Sequence, residues 1–244
     1  MKNVLSPTLL LLANKVAKIP FVKTILKPIY YPYKKLINTR RNKMFLINGV
    51  TVISDFHNCF EENNLTYTLA FGSMLGAVRD HGFIKHDLDL DVFVWADDYS
   101  PNIQRILEAN GFKLEHSFTI DDGKLGREET YSKKGVSLDI FYIYPPINKY
   151  QYTCDFSPFP GCVTWENSQS KMGGVRARRI EIPISKKRVQ LLFEGVNLYV
   201  PSNYDEFLRF RYGDDYMIPN PKWQNGENPH IIEWTDKIAQ FKKY

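Results

Sequence analysis

Phe71-Gly-Ser-Met-Leu-Gly-Ala-Val-Arg-Asp-His-Gly-Phe-Ile-Lys-His-Asp-Leu-Asp-Leu-Asp-Val92 decides the fold, because one short run holds a helix entry and a carboxylate-bearing strand. Just before it, Thr66-Tyr-Thr-Leu-Ala-Phe71 is rich in strand formers and closes at Gly72. From Ser73 to about Asp80 a short helix is expected, opened by a Gly-Ser turn whose free N–H groups suit an anion. Leu88 to Trp95 then alternates, with Leu88, Leu90, Val92 and Val94 on one face and Asp87, Asp89, Asp91 and Phe93 on the other. Aspartate is depleted in strands, and like charges side by side repel. Asp89 and Asp91 leave the same face of that strand about 7 Å apart, twice the rise per residue. A hard, oxygen-preferring cation, Mg²⁺ or Mn²⁺, answers that repulsion and also holds phosphates.

Asp139, in Ser137-Leu-Asp-Ile-Phe141, repeats the theme as a lone carboxylate among apolar strand residues. If its strand lies beside the first, three carboxylates converge. The bland alternative is a solvated edge strand, with Asp139 buried and satisfied by an amide. Gly72 and Ser73 at the end of the preceding strand weigh toward the metal site, as phosphate donors beside it. Arg79 can pair with a phosphate oxygen, although a surface position is the default for any single arginine. Strand, Gly-Ser, helix, Asp-x-Asp strand and later Asp strand is the layout of a nucleotidyltransferase-like fold.

Further out, Phe45 to Asn63 carries Leu46, Val50, Ile53 and Phe60 at helical spacing. Pro101 opens a helix that ends at Asn110-Gly111. Strands are expected around 112–115, 128–132 and 138–144, the first two joined by the Asp121-Asp-Gly-Lys turn. Residues 145–200 read as loop-rich, with Pro158, Pro160 and a basic run from Lys171 to Arg188, before a helix at about 202–211. The fold class is therefore α/β (α+β): a mixed sheet flanked by helices, with a loop-rich C-terminal extension. Residues 1–44 read as a basic arm, 45–220 as the catalytic domain and 221–244 as a tail.

A chain of 244 residues can bury a core without staples. At 43% hydrophobic and 24% charged it is neither a disordered chain nor a fibrous rod. Cys59, Cys154 and Cys162 form no Cys-x-x-Cys pair, which points to a reducing compartment and away from zinc. The net charge of +5 hides an asymmetry: ten basic residues and no acidic one precede Asp55, and the remainder carries 22 basic against 27 acidic. A basic arm suits an anionic membrane surface or nucleic acid. Nothing later resembles a groove-reading helix or an RNA-stacking pair, so nucleic acid is set aside.

Within the arm no stretch of 18 apolar residues survives the lysines, so a membrane-spanning helix is not supported, and no small-residue cleavage site follows a clean apolar core, which argues against a secretory signal. Apolar groups between lysines, followed by Tyr30, Tyr31 and Tyr33, fit a segment lying on a membrane surface. A helix packed on the body with its lysines in water fits the same pattern. Single residues receive bland assignments: His81 and His86 are bystanders, Trp165 and Trp223 pack on the core, and Asp214 and Asp215 belong to a turn.

The Phe71–Val92 run resembles the central motif of the LicD family, phosphocholine transferases related to fukutin and fukutin-related protein. That motif is roughly G-x-L-L-G-A-V-R-x-x-G-F-I-P-W-D-D-D-I-D. Leu138-Asp-Ile-Phe141 is similar to the family's later single-aspartate strand. Tyr212-Gly-Asp-Asp-Tyr-Met-Ile-Pro219 resembles its Tyr-Gly…Met-x-Pro segment. The likeness covers about residues 45–220. Lys85-His86 replaces the usual Pro-Trp, and Leu88 replaces the middle aspartate of the triple. These changes flank the site and bear on the transferred group more than on the chemistry.

The resemblance implies transfer of a phosphorylated small group, phosphocholine-like or a polyol phosphate, from a nucleotide-diphosphate donor, CDP-linked, to a hydroxyl of a cell-surface glycan. Asp89, Asp91 and Asp139 would hold Mg²⁺ or Mn²⁺ and carry catalysis, while Gly72, Ser73 and Arg79 would hold the donor. The enzyme would be cytoplasmic, peripheral on the inner face of the membrane. Two competitors stand beside this reading. One is a nucleotidyltransferase that uses a nucleoside triphosphate and releases pyrophosphate; the other is a non-catalytic nucleotide- or glycan-binding subunit.

Overall fold

The computed structural model describes residues 20–85, 87–220 and 228–244. The arm before Pro20, His86 and Trp223 lie outside the described residues, and with them the expectations attached to those positions. Helix α1 (Pro20–Glu62) runs for 43 residues, about 65 Å at 1.5 Å per residue. Phe45, Val52, Ile53, Phe56 and Phe60 are buried, a stripe at three- and four-residue spacing that seats the second half of α1 on the sheet. The boundary expected at residues 44 and 45 thus falls inside one continuous helix. The helix stops at Asn64, whose positive φ of 54° lets Leu65 N–H return to Phe60 O at 2.8 Å.

Among the described residues ten strands and four more α-helices follow. In chain order they are β1 (Thr68–Leu69), α2 (Phe71–Arg79), β2 (Asp89–Trp95), α3 (Pro101–Ala109), β3 (Lys113–Ile120), β4 (Gly126–Lys133), β5 (Val136–Ile143), β6 (Gln151–Ser157), α4 (Trp165–Met172), β7 (Val175–Ile182), β8 (Arg188–Phe193), β9 (Val196–Pro201), α5 (Tyr204–Tyr212) and β10 (Ile231–Lys243). Eight strands form one mixed sheet in the order β1-β2-β5-β4-β3-β10-β7-β6, and β8 and β9 form a separate hairpin. The sheet curls, so that Tyr144 at the end of β5 bridges Tyr152 of β6 through Tyr144 N–H to Tyr152 O at 2.8 Å. The α+β class expected from the sequence holds.

Two stretches depart from expectation. Residues 145–200, read as loop-rich, contain β6, α4, β7 and the β8–β9 hairpin. In β7 the buried Val175, Ala177, Ile180 and Ile182 lie among arginines that make the segment look like a solvated basic run. Two of those arginines are paired: Arg178 bonds Asp155 on β6, and Arg176 bonds Glu233 on β10. The C-terminal stretch, read as a tail, supplies β10, which lies between β3 and β7 inside the sheet. A bulge between Glu233 and Ile238 lets β10 pair with β7 along its first part and with β3 at its end.

Of the pairings in this sheet, β2 with β5 is the parallel one, and it fixes the site. The rungs run Asp89–Ser137, Leu90–Leu138, Asp91–Asp139 and Val92–Ile140. Leu90, Val92, Leu138 and Ile140 are fully buried toward the core, so the aspartates are forced to the opposite face.

Candidate functional site

Helix α2 is held to β2 by Asp91. Ala70 N–H donates to Asp91 O at 2.9 Å, and Asp91 N–H donates to Ser73 Oγ at 2.9 Å. Ala70, at the N-cap position, offers no side chain to cap the helix. The cap comes from across the chain instead, as Gly72 N–H donates to the Asp91 carboxylate. An anion at a helix N-terminus is favourable both for the unpaired N–H groups and for the helix dipole.

The glycines of the motif answer a steric demand. A Cβ on Gly76 would collide with the carbonyl oxygen of Gly82, and one on Gly82 would collide with the Glu194 carboxylate. A Cβ on Gly72 would press on Asp87 Oδ2 at 3.2 Å, with Asp91 Oδ2 at 3.6 Å. The loop from Asp80 to Asp87 is tied at both ends. Glu194, at the tip of the β8–β9 hairpin, accepts Phe83 N–H at 3.2 Å. Asn42 of α1 donates to Lys85 O at 3.2 Å and to Asp87 O at 3.1 Å. Residues 41 and 42, assigned by sequence to the arm, therefore serve the site.

Asp89, Asp91 and Asp139 share one sheet face and are half-buried. Burial, with Asp89, Asp139 and Asp87 close by, pushes the Asp91 carboxyl well above the usual carboxylate range against the pull of Gly72 N–H. Asp89 is raised by burial, with Arg41 opposing. Burial pushes Asp139 up to about 7, although Thr130 Oγ1 donates to its Oδ1 at 2.6 Å. Asp91 and Asp139 are thus neighbours, as the conditional expectation required. Even so, among the described residues no three Asp, Glu, His or Cys side chains are gathered at metal-binding spacing as they stand. The set is still chemically suited to a hard cation: oxygen-only donors, desolvated, and crowded by like charge.

Two cavities meet here, sharing Gly72 and Tyr212. The larger, about 460 Å³, is lined by Gly72, Leu75, Arg79, Ile84, Asp87, Tyr212, Asp215, Tyr216, Ile218, Pro219 and Asn220. The smaller, about 290 Å³, is lined by Phe71, Gly72, Asp91, Phe141, Asp155, Ile180, Arg211 and Tyr212. Ser73 is buried and borders neither cavity; its hydroxyl oxygen stands behind Asp91. Arg79 borders the larger cavity while holding Asp80 through bonds of 3.0 and 2.8 Å.

Sequence reasoning missed three groups. Glu128 on β4 lies across from Phe141, and burial together with Asp139, Asp155 and Asp91 raises its carboxyl well above the usual range. Asp155 and Arg211 reach the site from β6 and α5. Asp155 sits in the stretch read as loop, and Arg211 reads as an ordinary cation in the last turn of a helix. The one available signal was position, since Arg211 immediately precedes the Tyr212-Gly-Asp-Asp segment already singled out.

By fold and site this is an α+β protein of one large mixed sheet, with a carboxylate-rich cleft beside its parallel strand pair. Residues 64–203 match the family model described as LicD/FKTN/FKRP, nucleotidyltransferase domain, and the chain belongs to that family. Mouse ribitol-5-phosphate transferase FKTN is 24% identical over 72% of this chain and 36% of its own length. An uncharacterised protein of Rickettsia prowazekii is 31% identical over 46% of this chain and 41% of its own. The lipopolysaccharide cholinephosphotransferase LicD of Haemophilus influenzae is 32% identical over 27% of this chain and 23% of its own. The chain thus matches between about a quarter and two fifths of the length of these relatives. Among the described residues no helix is long and apolar enough to cross a membrane.

Proposed function

We propose that the chain is a divalent-metal-dependent phosphotransferase. It moves a phosphorylated small group, phosphocholine-like or a polyol phosphate, from a CDP-linked donor to a hydroxyl of a cell-surface glycan. The observation that carries this reading is the Asp91–Asp139 rung, with Asp89 one pleat away on the same face, in a chain of this family. Relatives named for ribitol-5-phosphate and choline-phosphate transfer support the reaction class.

In this reading Asp89, Asp91 and Asp139 hold Mg²⁺ or Mn²⁺. When bound, the cation neutralises charge on the donor's diphosphate and on the departing nucleotide. Gly72, which lines both cavities, leaves room for the donor to approach the aspartates, and Arg79 borders the larger one. Ser73 acts by keeping α2 against Asp91. The acceptor oxygen attacks the donor's distal phosphorus, the bond from that phosphorus to the nucleoside monophosphate breaks, and the hydroxyl proton passes to a carboxylate. Asp139 either completes the shell of the cation or, with Asp89 and Asp91 alone holding it, takes that proton, for which its burial-raised proton affinity suits it. The basic arm holds the enzyme at the anionic inner face of a membrane, beside a lipid-carried acceptor.

The test is a screen of CDP-linked donors for Mg²⁺-dependent thermal stabilisation, followed by product analysis. A bound donor raises apparent stability by mass action. Release of CMP with transfer to a glycan supports the proposal. Release of pyrophosphate from a nucleoside triphosphate would replace it with nucleotidyl transfer, and binding without turnover would make the chain a binding subunit.

A further inference from the structure

The smaller cavity gathers unlike charges on one lining. Asp91 and Arg211 both border it, together with Phe71 and Phe141. Arg211 is only 5% exposed, so its guanidinium has been taken out of water at a substantial cost in solvation. The other carboxylate lining this cavity, Asp155, is held by Arg178, through Nε to Oδ1 at 2.8 Å and Nη2 to Oδ2 at 2.5 Å, and its charge also favours the cationic form of Arg211. Those two residues are cross-strand partners of β6 and β7, so their pairing is set by the sheet register.

The placement of Arg211 is built in. Its guanidinium lies 5.5 Å from the centre of the Phe71 ring. Phe71 has a φ of 36°, a left-handed conformation rare for a bulky residue. That backbone turns the ring into a floor made with Phe93 and Phe141, each at 5.0 Å, and with Phe207 of α5 at 6.2 Å. The same strained residue therefore starts the helix that Asp91 caps and seats the arginine that shares the smaller cavity with Asp91. Strain of this kind persists where the surroundings over-determine it, and it clusters at ligand sites.

We infer that the smaller cavity is a phosphate-binding site in which Arg211 grips the oxygens of a diphosphate while Asp91 faces the same group through a cation. A planar guanidinium presents paired N–H donors at the spacing of phosphate oxygens, and in a desolvated site such bonds are strong. The burial of Arg211 lowers its proton affinity yet leaves it charged, as an anion receptor requires. This inference deepens the proposed function by naming where the donor's diphosphate sits, and it adds a residue to the site.

The probe is inorganic pyrophosphate, titrated calorimetrically into the full chain with Mg²⁺ and again with a chelator. Arg211→Met should weaken binding at least tenfold in both conditions while still melting in one cooperative transition. Arg211→Lys should recover part of the affinity. Asp91→Asn should remove the Mg²⁺-dependent increment while leaving metal-free binding in place. If Arg211→Met does not fold, hydrogen exchange on the parent protein decides: pyrophosphate should protect α5, residues 204–212, and unchanged exchange there overturns the inference. Pyrophosphate affinity unaltered in Arg211→Met also overturns it, even if CDP-linked donors react. Arg211-dependent pyrophosphate binding without transfer from any CDP-linked donor would leave this site standing and defeat the proposed reaction alone.

Discussion

Asp91 and Asp139 occupy the same rung of the parallel β2–β5 pair, so two carboxylates that are distant in sequence are fixed side by side by backbone hydrogen bonds. Leu90, Val92, Leu138 and Ile140 on the buried face lock that register, because a slip of one residue would send the aspartates into the core. Like-charge crowding at this rung is a stability cost that function retains. Asp91→Asn and Asp139→Asn should each abolish Mg²⁺-dependent donor binding and turnover, with a melting temperature unchanged or raised. Near-parental activity with Mg²⁺ in either variant would move the metal site elsewhere.

Gly76 and Gly72 separate packing from chemistry. A methyl group on Gly76 meets a backbone oxygen and the side chain of Ile84, neither of which can swing away. Overpacking of this kind costs about 1–3 kcal/mol, and for a chain of this size that is roughly 2–10 °C in melting temperature. Gly76→Ala should show such a fall by calorimetry. Gly72→Ala meets only the ends of the Asp87 and Asp91 side chains at 3.2 and 3.6 Å. It should melt within a few degrees of the parent yet bind donor more weakly. Equal donor affinity in Gly72→Ala would take that turn out of the site.

His116 on β3 gives the fold an acid-sensitive point. Its ring lies 5.0 Å from that of Trp165 and 5.9 Å from that of Phe241, and burial holds its proton affinity below the usual histidine value, with Glu115 and Glu166 opposing. The unfolded chain therefore binds this proton more readily than the folded one. The contribution is complete above pH ~6.5 and is lost as pH falls through the depressed folded value. Denaturant melts between pH 7.5 and 5 should show stability dropping, with a shallower drop in His116→Gln. An identical slope in the variant would show that His116 titrates alike in both states.

Strand alternation made β2 and β5 legible, and with them the three aspartates, because each strand has one face in the core and the pattern has period two. Strands β7 and β10 were hidden for physical reasons. Arg176, Arg178 and Arg179 in β7 satisfy their charge through Asp155, Glu233 and the face of Trp234, whose ring centre lies 5.1 Å from Arg179. All of these partners lie on other strands and cannot be seen from the run itself. In β10 the bulge between Glu233 and Ile238 breaks the alternation that would have announced a strand. Arg211 was hidden by its company, since one arginine at a helix end is an ordinary dipole partner until the fold brings it into one cavity with Asp91.

The arm can be divided between a membrane role and a service to the site. Seven of its ten basic residues lie before Asn38, with no acidic residue among them. Arg41, by contrast, acts on Asp89 and Asp139, and Asn42 holds the backbone of the Asp87 loop. A lysine near an anionic leaflet contributes ~1 kcal/mol, and the attraction fades beyond a Debye length of ~8 Å at physiological ionic strength. Full-length protein should therefore co-sediment with anionic vesicles at low salt and release at high salt. A chain beginning at Asn38 should lose vesicle binding but keep its melting temperature and donor affinity, because Arg41 and Asn42 remain. A chain beginning at Phe45 should bind donor more weakly, and Asn42→Ala in the full chain should reproduce part of that loss. Vesicle binding that survives removal of residues 1–37, or donor affinity that survives removal of residues 1–44, would break this division of the helix.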